Sequence, residues 1–261
     1  MSFLFLPLLP LLPLLVIFFT LEATADEQYQ KLFAEQRLEE SIATFLTTIQ
    51  QQQQKQITHK ISPNKDFDEA YKIYLNLQGK PSQDVAIEII QKYHATPSNP
   101  YLDYLLAASY ANLGRFDRFY PLFLSAYSND SDHYLADKML AVLHIKLYER
   151  LPLGVEKEAE REQVLNYLQK ALEKNSSDPM LYKMQLAFVA DANRPKQVDI
   201  LVRKMIDTKV VYPRSDLLFY VKAALSVGNK TLAQEFVDYS RTLFGYSRSL
   251  EAAQNIIDCK E

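Results

Sequence analysis

Residues 100–132 read PYLDYLLAASYANLGRFDRFYPLFLSAYSNDSD, and this stretch decides the fold class. Leu102, Leu106, Ser109, Tyr110 and Leu113 recur at helical spacing, as do Phe116, Phe119, Phe123 and Ala126 after them. Gly114 stands between the two runs, where a chain reversal needs a residue free to take a positive φ. The reading is therefore two amphipathic helices folded back on each other. Ala107 and Ala108 are small enough for a close crossing, and the aromatic rings fill the space around it.

The same grammar recurs on both sides of this stretch. Before it, residues 66–77 and 83–93 form apolar-periodic runs separated by Gly79-Lys80-Pro81-Ser82, and Pro97 and Pro100 close that hairpin. After it, residues 133–150 and 155–174 form a longer pair broken at Leu151-Pro152-Leu153-Gly154. A further pair spans residues 180–190 and 196–206, turned at Asn193-Arg194-Pro195. In the last pair, Tyr220-Val221, Ala224, Gly228, Ala233, Val237 and Ser240 fall at the offsets of the central unit. Residues 246–257 complete the set as a terminal helix.

Leu106-Ala107, Tyr110, Gly114-Arg115-Phe116, Phe123 and Ala126 resemble the 34-residue signature of the tetratricopeptide repeat family. Phe119 departs from it where that family favours alanine, and Ser131-Asp132 depart where it favours proline. Gly114 and Gly228 lie 114 residues apart, a little over three such periods, with the excess in the long pair at 133–174. The resemblance implies an all-α, right-handed α-solenoid of about five to six stacked antiparallel helical hairpins, the terminal helix capping its apolar end.

Residues 1–21 carry no charged side chain and run into Ala23-Thr24-Ala25, an apolar segment followed by an A-x-A site. The expectation is an export signal over residues 1–25, with the mature chain starting at Asp26. The missing Lys or Arg ahead of the run, and Pro7, Pro10 and Pro13 within it, depart from the usual pattern. An uncleaved anchor through residues 1–21 is the alternative, since the run is about long enough to cross a bilayer. Residues 26–62 then form an N-terminal helical segment that includes the glutamine run at 50–54, and residues 63–261 form the repeat domain.

Composition excludes several function classes. With 29 basic residues against 32 acidic, and 31 once Glu22 is removed with the signal, no global field favours nucleic acid. One cysteine, Cys259, permits no internal disulfide and no paired metal motif. His59, His94, His133 and His144 stand at no metal-ligand spacing, and with five glycines no phosphate or dinucleotide loop appears. No cofactor or metal is expected, and the chain reads as a non-enzyme. His144 reads as a packing histidine, and the run from Glu156 to Glu162 as a solvated helix face.

A helical solenoid offers its partners the concave surface lined by first helices. Aligned on the family, the inward stripe includes Tyr101, Tyr104 and Asn112, then Lys138 and Lys146, then Lys183, then Lys222, the alternative for Tyr101 and Tyr104 being that they pack on the preceding hairpin. Aromatic faces would supply contact area and ammonium groups would attract carboxylates, so a protein or peptide partner is expected. The set does not reproduce the family's carboxylate clamp. The functional expectation is an exported scaffold, periplasmic or extracellular. Its alternatives are a membrane-anchored assembly component of the cell envelope and a secretion chaperone.

Overall fold

The computed structural model describes residues 83–94 and 100–259, with Ile42, Leu46, Thr47, Ile49 and Ala70 as single helical positions. The export segment and the glutamine run lie outside the described residues. So does the helix expected at 66–77, apart from Ala70. Among the described residues there are ten α-helices and no strand: α1 (Gln83–His94), α2 (Pro100–Asn112), α3 (Phe116–Asn129), α4 (Tyr134–Arg150), α5 (Val155–Lys174), α6 (Pro179–Asp191), α7 (Pro195–Asp207), α8 (Leu217–Ser226), α9 (Lys230–Phe244) and α10 (Arg248–Asp258). A short 3-10 turn, Arg214–Asp216, leads into α8. The chain forms two compact units that meet in sequence between Gln163 and Val164, within α5.

In the unit up to Gln163, α2 pairs with α3, α1 lies against α2, and α4 settles against both members of the pair. In the unit from Val164, α6 pairs with α7 and α8 settles against both, then α8 pairs with α9 and α10 settles against both. A first helix touched on several sides must be apolar nearly all round, and every residue of α2 from Tyr101 to Ala111 is buried. A second helix faces water on one side. Accordingly α9 buries Leu232, Ala233, Phe236, Val237 and Ser240 while Glu235 and Asp238 stay outside that row.

The turns inside the hairpins share one hydrogen-bond pattern. After α2, the Arg115 N–H reaches the Tyr110 carbonyl (2.9 Å) and the Gly114 N–H reaches that of Ala111 (3.0 Å), with Gly114 at φ +71°. After α6, Arg194 bonds Val189 (2.9 Å) and Asn193, at φ +51°, bonds Ala190 (3.0 Å). After α8, Asn229 bonds Ala224 (3.0 Å) and Gly228, at φ +76°, bonds Leu225 (3.1 Å). Each turn satisfies carbonyls that a helix end leaves open. Lys209 adopts the same geometry after α7, at φ +52°, although a lysine there is strained. Nothing lies within 4 Å of a Cβ built on Gly228, so only backbone conformation opposes a side chain there. Gly228→Ala is expected to destabilise the protein by about 1 kcal/mol, and Lys209→Gly to stabilise it by about as much, in urea-unfolding midpoints.

Each unit has an aromatic centre. Around Phe123 stand Phe119 (5.3 Å between ring centroids), Tyr127 (5.7 Å) and Tyr104 (5.9 Å). Phe119, the departure from the family pattern, is fully buried and serves as core. Around Phe236 stand Tyr220 (5.1 Å), Tyr212 (5.3 Å) and Tyr239 (5.9 Å). Buried phenols need partners. Tyr220 donates to the Pro179 carbonyl (3.1 Å), Tyr239 to that of Val210 (2.8 Å), and Tyr212 bonds the Ser240 hydroxyl.

Candidate partner-binding face

The expected stripe divides between the two units. In the first, its two tyrosines and Lys138 are buried. Tyr101 is 2% exposed and Tyr104 has no exposed surface, so neither offers a ring to a partner. Tyr101 donates to the Asp130 carboxylate (2.9 Å) and Tyr104 to the Asp130 carbonyl (2.5 Å), which ties both to the end of α3. Burial, the hydrogen bond to Asp130 and its negative charge push the Tyr101 phenol up to about 12. Burial, then the Asp130 charge, pushes Tyr104 higher still. Lys138 is also buried, at 2% exposed, where its ammonium cannot capture a carboxylate from solution. Lys146 is partly exposed and pairs along its own helix with Glu149 (2.9 Å). Asn112 ends α2, and its side chain lies outside the described residues.

The second unit carries a continuous face. On α6 the buried residues Leu181, Tyr182, Gln185, Leu186, Phe188, Val189 and Ala190 turn inward. Beyond Pro179 at its start, what remains in contact with solvent is Met180, Lys183, Met184, Ala187 and Asp191, spaced along one side of the helix. On α8 the remainder is Leu218, Phe219, Lys222 and Ser226. The two stripes adjoin: the Lys183 ammonium bonds the Asp216 carboxylate at the head of α8 (2.8 Å) and lies 5.9 Å from the centre of the Phe219 ring. Lys183 is thereby largely neutralised, whereas Lys222 is exposed and has no ion-pair partner among the described residues. The face is thus largely apolar, with the exposed acid Asp191 at the end of its α6 stripe and Lys222 as its available cation. Chemically it suits a peptide segment that lays down apolar side chains and presents a carboxylate. Lys183 and Lys222 were visible in the sequence. Asp216, Phe219, Met180 and Met184 were not assigned there, although the row Met180, Lys183, Met184, Ala187 carried the helical signal.

A second surface stands at the α4–α5 turn, where Leu153 and Val155 are 91% and 87% exposed. Beneath it, Lys157 donates to the Leu151 carbonyl (3.0 Å) and lies over the Tyr148 ring (4.5 Å), while Arg161 donates to the Tyr148 hydroxyl (2.6 Å) and pairs with Glu158 (2.8 Å). His144 bonds Glu160 at 2.7 Å, so Glu160 departs from the solvated face expected of the acidic run.

Among solved structures, TTC0263, a thermophilic tetratricopeptide-repeat (TPR) protein of Thermus thermophilus, superposes with a TM-score of 0.54 over 74% of this chain and 99% of that one, at 13% identity. The fold is TPR-like. Two further structures match less closely in space: PilW, a type IV pilus biogenesis factor (17% identity, 74% of this chain and 100% of that one, TM-score 0.34), and pilF of Pseudomonas aeruginosa (14%, 73% and 97%, 0.29). No protein-family model and no curated protein matches the sequence. The TPR-like assignment therefore rests on the helix pairing and shared turns described above, with the TTC0263 superposition. Among the described residues of this TPR-like chain, no helix is long and apolar enough to cross a membrane.

Proposed function

We propose that this chain is an exported, non-enzymatic TPR-like scaffold that holds a protein or peptide partner on the α6–α8 face. The observation that carries this reading is the pair of adjoining solvent stripes, apolar at Met180, Met184, Leu218 and Phe219 and cationic at Lys222. Export rests on the apolar residues 1–21 and the A-x-A site after them. The non-enzymatic reading rests on a sequence that supplies no nucleophile paired with a base at a recognisable spacing. Retention of residues 1–21 would make the same scaffold a membrane-anchored assembly component, a reading favoured by the length of that apolar run.

One experiment addresses face and location together. A photo-reactive amino acid is placed at Lys222 of the full chain, or at Ile200 as an exposed control on α7, and the chain is produced in its native cell. Crosslinks to a discrete protein are expected from position 222 and not from 200, in exported material whose N-terminal sequence starts at Asp26. Equal crosslinking from both positions, or from 200 alone, places the partner elsewhere. Exported chains that start at Met1 favour the anchored form.

A further inference from the structure

We infer that the α4–α5 tip of one copy docks on the α6–α8 face of a second copy of this chain, an inference that takes that face as a binding surface, as proposed above. The first support is how the tip is built. α2 has 13 residues and α4 has 17, and the two start together, since the His133 ring just before α4 lies 4.7 Å from Tyr101 at the start of α2. Four extra residues carry the end of α4 about 6 Å farther out. The Tyr148–Lys157–Arg161 cluster braces the turn from below, so Leu153 and Val155 are held out on a stiff support.

The second support is the arrangement of charge. Between residues 146 and 162 the exposed charged residues are Glu149, Glu156, Glu158 and Glu162, all acidic. The cations Lys146, Arg150, Lys157 and Arg161 are half-buried or buried. Glu156, next to Val155, has no partner among the described residues. With Glu149 and Glu158 paired to Lys146 and Arg161, Glu156 is the open acid beside the apolar tip, and such a tip fits an apolar surface bearing a cation. The α6–α8 face has that chemistry: Leu218 and Phe219 beside the available Lys222.

Sedimentation velocity of the full chain tests this up to about 0.5 mM, since a contact of two apolar side chains falls in the weak class of interfaces. Concentration-dependent association is expected. Leu153→Asp, Lys222→Glu and Glu156→Lys should each weaken it about tenfold or more, a step of about 1.4 kcal/mol. The double variant Glu156→Lys/Lys222→Glu should recover most of it, and Ile200→Asp should leave it unchanged. All these side chains are exposed, so the variants should fold, as circular dichroism would verify. A monomer at every concentration overturns the inference, as does association that survives Leu153→Asp or Lys222→Glu, or that Ile200→Asp abolishes equally. It is also overturned if the chain remains monomeric but binds phosphatidylcholine–phosphatidylglycerol vesicles in a Leu153-dependent way. Crosslinking from position 222 to another protein by a chain that does not self-associate removes this inference alone and leaves the scaffold reading standing.

Discussion

Between pH 10 and pH 12 the protein is expected to unfold in a steep transition, with phenolate absorbance rising as helical circular dichroism falls. The cause is a set of tyrosines whose hydroxyls are buried. Burial raises the Tyr220 phenol well above its usual value of 10, helped by the negative charge of Asp216. Burial raises Tyr212 as well, against a smaller opposing effect of its bond to Ser240. In the unfolded chain these groups ionise near pH 10. Their contribution to stability is therefore complete below pH 10 and is withdrawn as the pH climbs from the unfolded toward the folded value. Each tyrosine that stays neutral when folded and ionises when unfolded removes about 1.4 kcal/mol per pH unit. Two of them in the unit from Val164 remove about 3 kcal/mol per pH unit, against a domain stability on the order of 5–15 kcal/mol. Tyr220→Phe should make the pH slope of urea-unfolding stability shallower by about 1.4 kcal/mol per unit. Smooth titration of all the tyrosines near pH 10 with the helices intact would sink this account.

Phe236→Ala should be among the most damaging single substitutions in the second unit. The side chain has no exposed surface and three tyrosine rings surround it. Truncation removes the transfer energy of the ring and leaves a cavity among partners whose hydroxyls are tethered to Pro179, Ser240 and Val210, which restricts collapse around it. A loss of about 3–5 kcal/mol is expected in urea unfolding, a large share of what holds such a unit folded. Ile200→Ala, on the exposed side of α7, should change stability by about 0.5 kcal/mol or less. A loss below about 1 kcal/mol for Phe236→Ala would show that the aromatic centre repacks freely.

The helix boundaries of the long pair were legible because strong local signals flank them. The expected ranges 133–150 and 155–174 match α4 and α5 to within a residue, with Pro152 and Gly154 marking the break. The turn at Asn193 was legible for the same reason, since Pro195 fixes the start of α7. The burial of Lys138 was not legible, and for Tyr101 and Tyr104 the sequence left packing and partner contact equally open. Periodicity tells which side of a helix faces water only if one side does, and α2 is enclosed from Tyr101 to Ala111. The pairing of Lys183 with Asp216 spans 33 positions, and that of His144 with Glu160 spans 16. Each depends on how one helix registers against another. Tyr212 lies in a link between elements, where there is no period to read, and its burial is supplied by Phe236 and Phe244 of α9.

The surplus of four residues in α4 is close to one whole helical turn. Lengthening by a whole turn returns the side chains beyond it to nearly the same direction around the axis, so the stripe at the base keeps its phase. A hairpin of this kind can grow or shorten at its free end in steps of a turn without disturbing the pairing below. The outer residues then answer to whatever they meet outside the fold rather than to the core, and length becomes a property that substitutions and insertions can adjust separately from stability.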